Sequence, residues 1–348
     1  MKTRAVLLCL AVGAAVFFGC TSRTPVIADV ARAADAATVE DARFAVIPAS
    51  AYPGYPVTVA FSYDSKRLAA GQANAAAVAD ALHKKNLRAV LVSAEGRRLT
   101  QAAFFALTLP EENGQAVKAA VMAIPSLSPI GEAAINIESD AGIIQSFPFT
   151  IYNRTFDAET IQLDQANTDL RTTSDPKRTA ESQHIWAVFN RTGTDVYSWD
   201  RFVRPVTSTR RTSPFGSRRI FQYATGARDT TVHNGLDFGV PVGTDVMACA
   251  RGRVVVARSR IITGMSVVIE HLPGLYSVYY HLDTIDVREG DLVEAGKIVG
   301  KSGVTGLVTG PHLHWEIRVS GESADPDAFL SRPVLDKNEI LSHLRSGS

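Results

Sequence analysis

Gly310-Pro311-His312-Leu313-His314-Trp315-Glu316-Ile317-Arg318-Val319 carries two signals in one stretch. From His314 onward the aromatic and β-branched residues predict a strand. His312 and His314 are two apart at its start, and alternate side chains of an extended chain share a face. Upstream, His233-Asn234-Gly235-Leu236-Asp237 places a His and an Asp four apart. Gly235 and the following Phe-Gly-Val-Pro argue for a loop running into a strand, where residues four apart again share a face. Each half is common by chance. Their combination in one Gly-rich, β-patterned segment offers three or four side chains of the kind that hold a catalytic zinc, which takes three protein ligands and leaves a fourth position for water.

The same segment holds more histidine than one metal needs. His281 ends a predicted strand in Tyr279-Tyr280-His281-Leu282-Asp283, and strand ends are where reactive groups are displayed. Extra imidazoles beside a metal suit acid–base work near neutral pH. Gly303, Gly306 and Gly310 let the backbone turn closely around the site. Glu316 shares a face with His312 and His314 and is a candidate fourth ligand or base. Asp283 is a candidate partner for His281. His271, in Glu270-His271-Leu-Pro-Gly274, reads as a turn residue after a strand, and Cys249 as a buried small hydrophobe within an apolar run.

Ser213-Pro-Phe-Gly-Ser-Arg218-Arg219, His233-Asn-Gly-Leu-Asp237-Phe, Tyr279-Tyr-His281-Leu, Gly306-Leu-Val-Thr-Gly-Pro-His312-Leu-His314-Trp and Asp325-Pro326 together resemble the lysostaphin/LytM-type zinc endopeptidases. The resemblance covers roughly residues 205–332. It implies hydrolysis of peptide cross-links in bacterial peptidoglycan by a metal-activated water. It implies Zn2+ on His233, Asp237 and His314, with His281 and His312 as unligated histidines that handle the water and the developing oxyanion. It places Arg218 near substrate. The Arg210-Arg211 and Arg218-Arg219 pairs are candidate contacts for stem-peptide carboxylates or ordinary solvated charges. Three functional readings stand: an active endopeptidase on stem peptides; a non-catalytic relative that binds peptidoglycan or activates another hydrolase; and a latent enzyme whose cleft waits for a regulatory protein partner. A cupin-type metal site on His312, His314 and Glu316 leaves the upstream His and Asp without a role.

The rest of the chain sets the context. Its 348 residues are 46% hydrophobic, enough for two domains with real cores. Lys and Arg total 36 against 35 Asp and Glu, which argues against a nucleic-acid surface. Lys2 and Arg4 precede an apolar run, Ala5 to Phe18, of signal-peptide length. The run stops at Gly19-Cys20, as in a bacterial lipoprotein, so Cys20 is the expected lipidation site; cleavage near Ala31-Arg-Ala33 is the alternative. This implies a membrane-anchored envelope lipoprotein facing the periplasm, and Thr21 leans toward the outer membrane. With Cys9 removed and Cys20 acylated, Cys249 has no disulfide partner.

The expected order is a signal at 1–20, a tether at 21–42, a β-sandwich-like domain at 43–152, a connector with a helix at 153–204, the peptidase domain at 205–332 and a tail at 333–348. The fold class is mainly β: the sandwich, a short helical connector and a compact all-β peptidase domain. Strands are predicted at 56–61, 88–92, 116–122, 133–137, 147–152, 252–257, 266–270, 276–281 and 314–319. An Ala-rich helix carrying His83 is expected over 69–85. A second, starting at Asp175 and Pro176, carries His184 in a structural role.

Overall fold

The structure is a computed structural model and describes residues 42–64, 87–107, 115–191 and 193–346. The leader, Cys20 and the Ala-rich stretch with His83 lie outside them. The chain is mainly β, as expected. The first domain holds β1 (Ala42–Ile47), β2 (Ser50–Ala51), β3 (Pro56–Asp64), β4 (Arg88–Ser93), β5 (Arg98–Ala103), β6 (Phe105–Leu107), β7 (Gln115–Ala123), β8 (Gly131–Ser139) and β9 (Gly142–Ile151). They form two sheets, ordered β1-β3-β7-β6 and β2-β9-β8-β4-β5. All five strands expected here are present. The short β6 and the polar-alternating β5 carried too weak a pattern to be read.

The four-stranded sheet is buried on both faces. Along β3, Val57, Val59, Phe61 and Tyr63 enter the core between the two sheets, with Leu91, Ile135 and Ile137. Ala60 points the other way, as do Val117, Ala119, Val121 and Ala123 of β7, into a core shared with the second domain. Period-2 alternation with apolar residues on both faces is what a central layer demands. The alanines let the layers approach closely.

The connector contributes β10 (Ala158–Gln162), α1 (Gln165–Thr172) and α2 (Pro176–Phe189). Asp175 caps α2 as the sequence indicated, its carboxylate accepting from the Lys177 and Arg178 amides. Ile185, Val188 and Phe189 of α2 cover Val256, Val268, Tyr276, Val278 and Tyr280, and His184 is exposed.

The second domain follows with β11 (Arg211–Ser213), β12 (Arg218–Gln222), β13 (Arg228–Val232), β14 (Gly235–Phe238), β15 (Asp245–Met247), β16 (Gly252–Arg260), β17 (Gly264–Leu272), β18 (Leu275–Ile285), β19 (Leu292–Val293), β20 (Ile298–Ser302), β21 (Leu313–Val319) and β22 (Glu322–Ala324). The main path runs β11-β14-β21-β18-β17-β16-β19. Connector strand β10 joins β12 and β13 in a separate three-stranded sheet.

Residues expected as a plain tail instead form α4 (Lys337–Ser346), after the short α3 (Pro326–Ser331). Ile340 and Leu344 of α4 join the shared core. Thr58 Oγ1 donates to Val334 O at 2.7 Å, Ser320 Oγ to Val121 O at 2.8 Å, and Arg154 pairs with Asp325 at 2.5 Å. Apolar burial and these bonds make the two domains one packed unit. No helix of the described residues is long and apolar enough to cross a membrane.

His271 is not in a turn. It lies within β17, fully buried. Its Nδ1 donates to Arg251 O at 2.9 Å and its Nε2 is 2.8 Å from the Ser277 hydroxyl. The role is structural, as expected. The neighbouring Cys249 is also fully buried, and burial pushes its thiol up to about 11, so it is inert.

Burial lowers the His271 imidazole from 6.5 to about 4. The folded state therefore prefers the neutral form. Its contribution is complete above pH 6.5 and is lost as pH falls toward 4, because the unfolded chain takes up the proton first. The loss amounts to about 3 kcal/mol. Urea unfolding between pH 7 and pH 4.5 should show a shallower loss of stability in His271→Gln than in the parent chain. Equal slopes would count against this account.

Candidate metal centre

Asp237 and His314 are brought together by sheet register. β14 pairs antiparallel with β21, and Asp237 is the direct cross-strand partner of His314. Opposed residues on one face lie about 5 Å apart at Cβ. Two positions along, Gly235 faces Glu316. A Cβ at Gly235 would lie 2.9 Å from the His314 ring and 2.5 Å from Trp315 O, so glycine is required there for close approach. His233 is clamped from the other side, its amide donating to Ser217 O at 2.9 Å and its carbonyl accepting from Gly216 N–H at 2.8 Å.

The donor atoms converge. His233 Nε2 is 3.1 Å from Asp237 Oδ1 and 3.1 Å from His314 Nδ1, and His314 Nδ1 is 2.8 Å from Asp237 Oδ1. His233 Nδ1 donates to Pro214 O at 2.8 Å, which leaves a lone pair on its Nε2. Glu316 faces His314 Nε2 at 3.4 Å, so a proton placed there leaves a lone pair on Nδ1. Two imidazole lone pairs and a carboxylate oxygen thus point at one spot. All three residues are buried, and the arrangement repels itself unless positive charge sits among them.

The electrostatics agree. Burial works against charge on His314, yet the Asp237 and Glu316 carboxylates overcome it and hold the ring up at about 9. Asp237 is likewise held well below the ordinary carboxylate range, despite burial, by the adjoining His233 and His314 imidazoles. Ligands 2.0–2.1 Å from a tetrahedral zinc stand about 3.3 Å apart, so a small opening of the cluster admits the ion. The donor set fits the metal.

Glu316 is not a fourth ligand. It is 3% exposed, faces the far nitrogen of His314 and is ion-paired with Arg318. It orients the ring from behind. Tyr280, the cross-strand neighbour of His314 on β18, stacks on the same ring with an interplanar angle of 9°.

His281 sits at φ 61°. A non-glycine residue in this left-handed region costs about 1–2 kcal/mol and re-aims a side chain that strand alternation would otherwise fix. Its amide donates to Thr263 O at 2.9 Å and its Nδ1 to Thr305 O at 2.8 Å. Asp283, the partner considered from sequence, is exposed; the Thr305 carbonyl does the orienting. His312 Nδ1 donates to Gly310 O at 2.8 Å. The His281 and His312 rings lie side by side, centroids 5.0 Å apart, and His312 Nε2 is 3.9 Å from Asp237 Oδ1. Each ring thereby has its Nδ1 committed to a backbone carbonyl and its Nε2 free of the backbone. Burial, reinforced by the neighbouring His312 and His314, drives His281 down to about 3.

Arg218 is turned away from the site. Its guanidinium donates to Gly216 O and to Ser126 O of the first domain, both at 2.9 Å, and lies over the Phe156 ring. The next residue on β12 points to the opposite face: Arg219 Nη2 donates to Asp237 Oδ2 at 2.6 Å. Period-2 alternation separates the two arginines, but sequence alone does not say which face is inward.

The profile of peptidase family M23 matches residues 231–326. Peptidoglycan DD-endopeptidase ShyB of Vibrio cholerae serotype O1 is 42% identical over 93 residues, 27% of this chain and 22% of that protein. The catalytic domain of the prophage-encoded M23 protein EnpA from Enterococcus faecalis is 33% identical, covering 36% of this chain and 95% of that one, with a TM-score of 0.31. A protein from Pseudomonas aeruginosa described as a peptidase M23 is 26% identical over 72% of this chain and 90% of that one, with a TM-score of 0.49. The matched stretch spans 22%, 27% and 28% of the length of three curated relatives.

Asp237→Ala and His314→Ala should each abolish stoichiometric zinc binding measured by calorimetry, because two remaining donors do not make a site. His281→Ala should bind zinc as the parent does. Loss of zinc from His281→Ala would show that its imidazole, and not only the triad, holds the ion.

Proposed function

Because the chain belongs to peptidase family M23, we propose that it is a zinc-dependent endopeptidase that hydrolyses peptide cross-links of bacterial peptidoglycan. The observation that carries this reading is the convergence of three lone-pair donors beside two further imidazoles with free Nε2 atoms. Zinc on His233, Asp237 and His314 would lower the pKa of water and polarise the scissile carbonyl.

The remaining groups divide the proton work. His281 stays neutral and accepts a hydrogen bond through Nε2, which orients the attacking water. Its backbone conformation and the Thr305 carbonyl hold that ring in place. His312 has the more exposed side chain, 17% against 10% for His314. It is the group placed to take a proton and deliver it to the leaving amine. The leader-like residues up to Cys20 support a cell-envelope setting, where such a substrate lies.

A second reading, latency, has its own support. Helix α1 touches both sides of the site region. Thr168 Oγ1 accepts from Ala224 N–H at 3.0 Å and Arg171 pairs with Asp229 at 2.8 Å, on the β12–β13 hairpin. Asn167 Nδ2 reaches Val308 O at 3.4 Å, in the loop before His312. A helix fastened to both would narrow the approach for a polymer.

One assay separates the readings. Purified cross-linked peptidoglycan is incubated with the zinc-loaded chain and the fragments are identified. Digestion by the parent chain supports the constitutive enzyme. Digestion only by the Asn167→Ala, Arg171→Ala double variant supports latency. In whichever form is active, His281→Ala and His312→Ala should each lower the rate by about 10²–10⁴ with zinc still bound. Retained zinc with no digestion by any form would sink the peptidase reading.

A further inference from the structure

The metal ligand Asp237 has two oxygens, and only Oδ1 faces His233 and His314. Oδ2 is taken by Arg219 Nη2 at 2.6 Å. Arg219 is held in turn by Glu159, whose Oε1 accepts from Arg219 Nε at 2.7 Å. The same Oε1 accepts from Ser213 Oγ at 2.7 Å, and Ser213 Oγ also receives Arg219 Nη2 at 2.9 Å. Glu159 lies on connector strand β10, which runs parallel to β12 with Glu159 and Arg219 as direct partners. It therefore comes from outside the segment matched by the family, 231–326.

We propose that Glu159 and Arg219 are positioning residues for the metal ligand Asp237, so that the connector strand completes the metal centre. The proposal rests on the metal-centre reading above. Arg219 fixes the carboxylate plane and occupies Oδ2, so Asp237 offers the ion a single oxygen in a set direction. An uncompensated guanidinium this close would oppose a dication. Glu159 supplies the opposing charge and locks the guanidinium plane through Nε. Groups that orient a metal ligand in this way typically change metal affinity about 10–100-fold when removed. Ser213 ties the same network to the second ligand, since its Oγ is 3.2 Å from His233 Nδ1.

The test is zinc affinity of the full chain by competition with a chromophoric chelator, with thermal melting of each metal-free protein as the folding control. Glu159→Gln should bind zinc about 10-fold or more weakly, since it leaves the Arg219 charge unbalanced. In an Arg219→Met background the same change should have little further effect, because Glu159 acts through Arg219. Glu159→Asp, which keeps the charge but draws it back, should fall between parent and Gln; it also serves if Glu159→Gln melts early. Unchanged zinc affinity in a folded Glu159→Gln or Glu159→Asp protein would overturn the proposal. So would equal losses from Glu159→Gln with and without Arg219. A parent chain that binds no zinc would instead sink the metal-centre reading, and the two failures are distinct.

Discussion

The pairing of β14 with β21 is the constraint on which the site depends. It sets Asp237 opposite His314 and Gly235 opposite Glu316. A slip of one residue would send Asp237 to the other face and leave the cluster without its carboxylate. That register is secured by burial. Leu236, Phe238, Leu313, Trp315 and Ile317 alternate with the site residues and fill the core beneath them. The same alternation that exposes donors on one face anchors the strands on the other, so chemistry and packing are two readings of one pattern.

Around that pair, three further histidines arrive by different local means. His233 is set by backbone bonds to Ser217 and Gly216. His312 is held by the Gly310 carbonyl in the loop entering β21. His281 occupies a left-handed backbone position and is tied to Thr305. Every ring has one nitrogen fixed by a carbonyl or carboxylate, and the other is left toward the centre. Fixing the tautomer through the far nitrogen decides which atom is a ligand, a base or a donor. The unfavourable backbone at His281 is held by the strands β17 and β20 that pair with β18 beside it.

Much of this was legible in the sequence because it is written in short-range spacing. Two-apart and four-apart residues in extended chain share a face, and glycine marks close approach, so the five site residues could be named. The nine strands expected were all found, since each carries β-branched or alternating residues. What could not be read depends on pairing between distant segments. Glu159 sits in a connector with no motif, and only its parallel register against β12 brings it to Arg219. Arg218 and Arg219 are indistinguishable by composition; the sheet turns one toward Ser126 and the other toward Asp237. His271 looked like a turn residue because Pro273 and Gly274 follow it, yet the strand continues through Leu272 before turning. The final residues looked like a tail, since a ten-residue helix has little pattern of its own.

The first domain takes its meaning from the same geometry. Its four-stranded sheet is buried on both faces, and the side toward the second domain is lined with alanines and valines in contact with α4 and the β21–β22 region. Such a layer cannot swing away without exposing a continuous apolar face to water. Arg218 and Arg154 add bonds across the same boundary, to Ser126 O and to Asp325. The connector begins at that boundary and proceeds directly to Glu159, three residues after the Phe156 ring on which Arg218 rests. Strand β10 therefore connects that boundary, through Glu159 and Arg219, to the carboxylate of Asp237. The arrangement ties the distant domain to Asp237 by a short run of chain, while the helix α1 that follows reaches the loop before His312. One segment thus meets the cluster region twice, once behind Asp237 through Arg219 and once at the loop before His312.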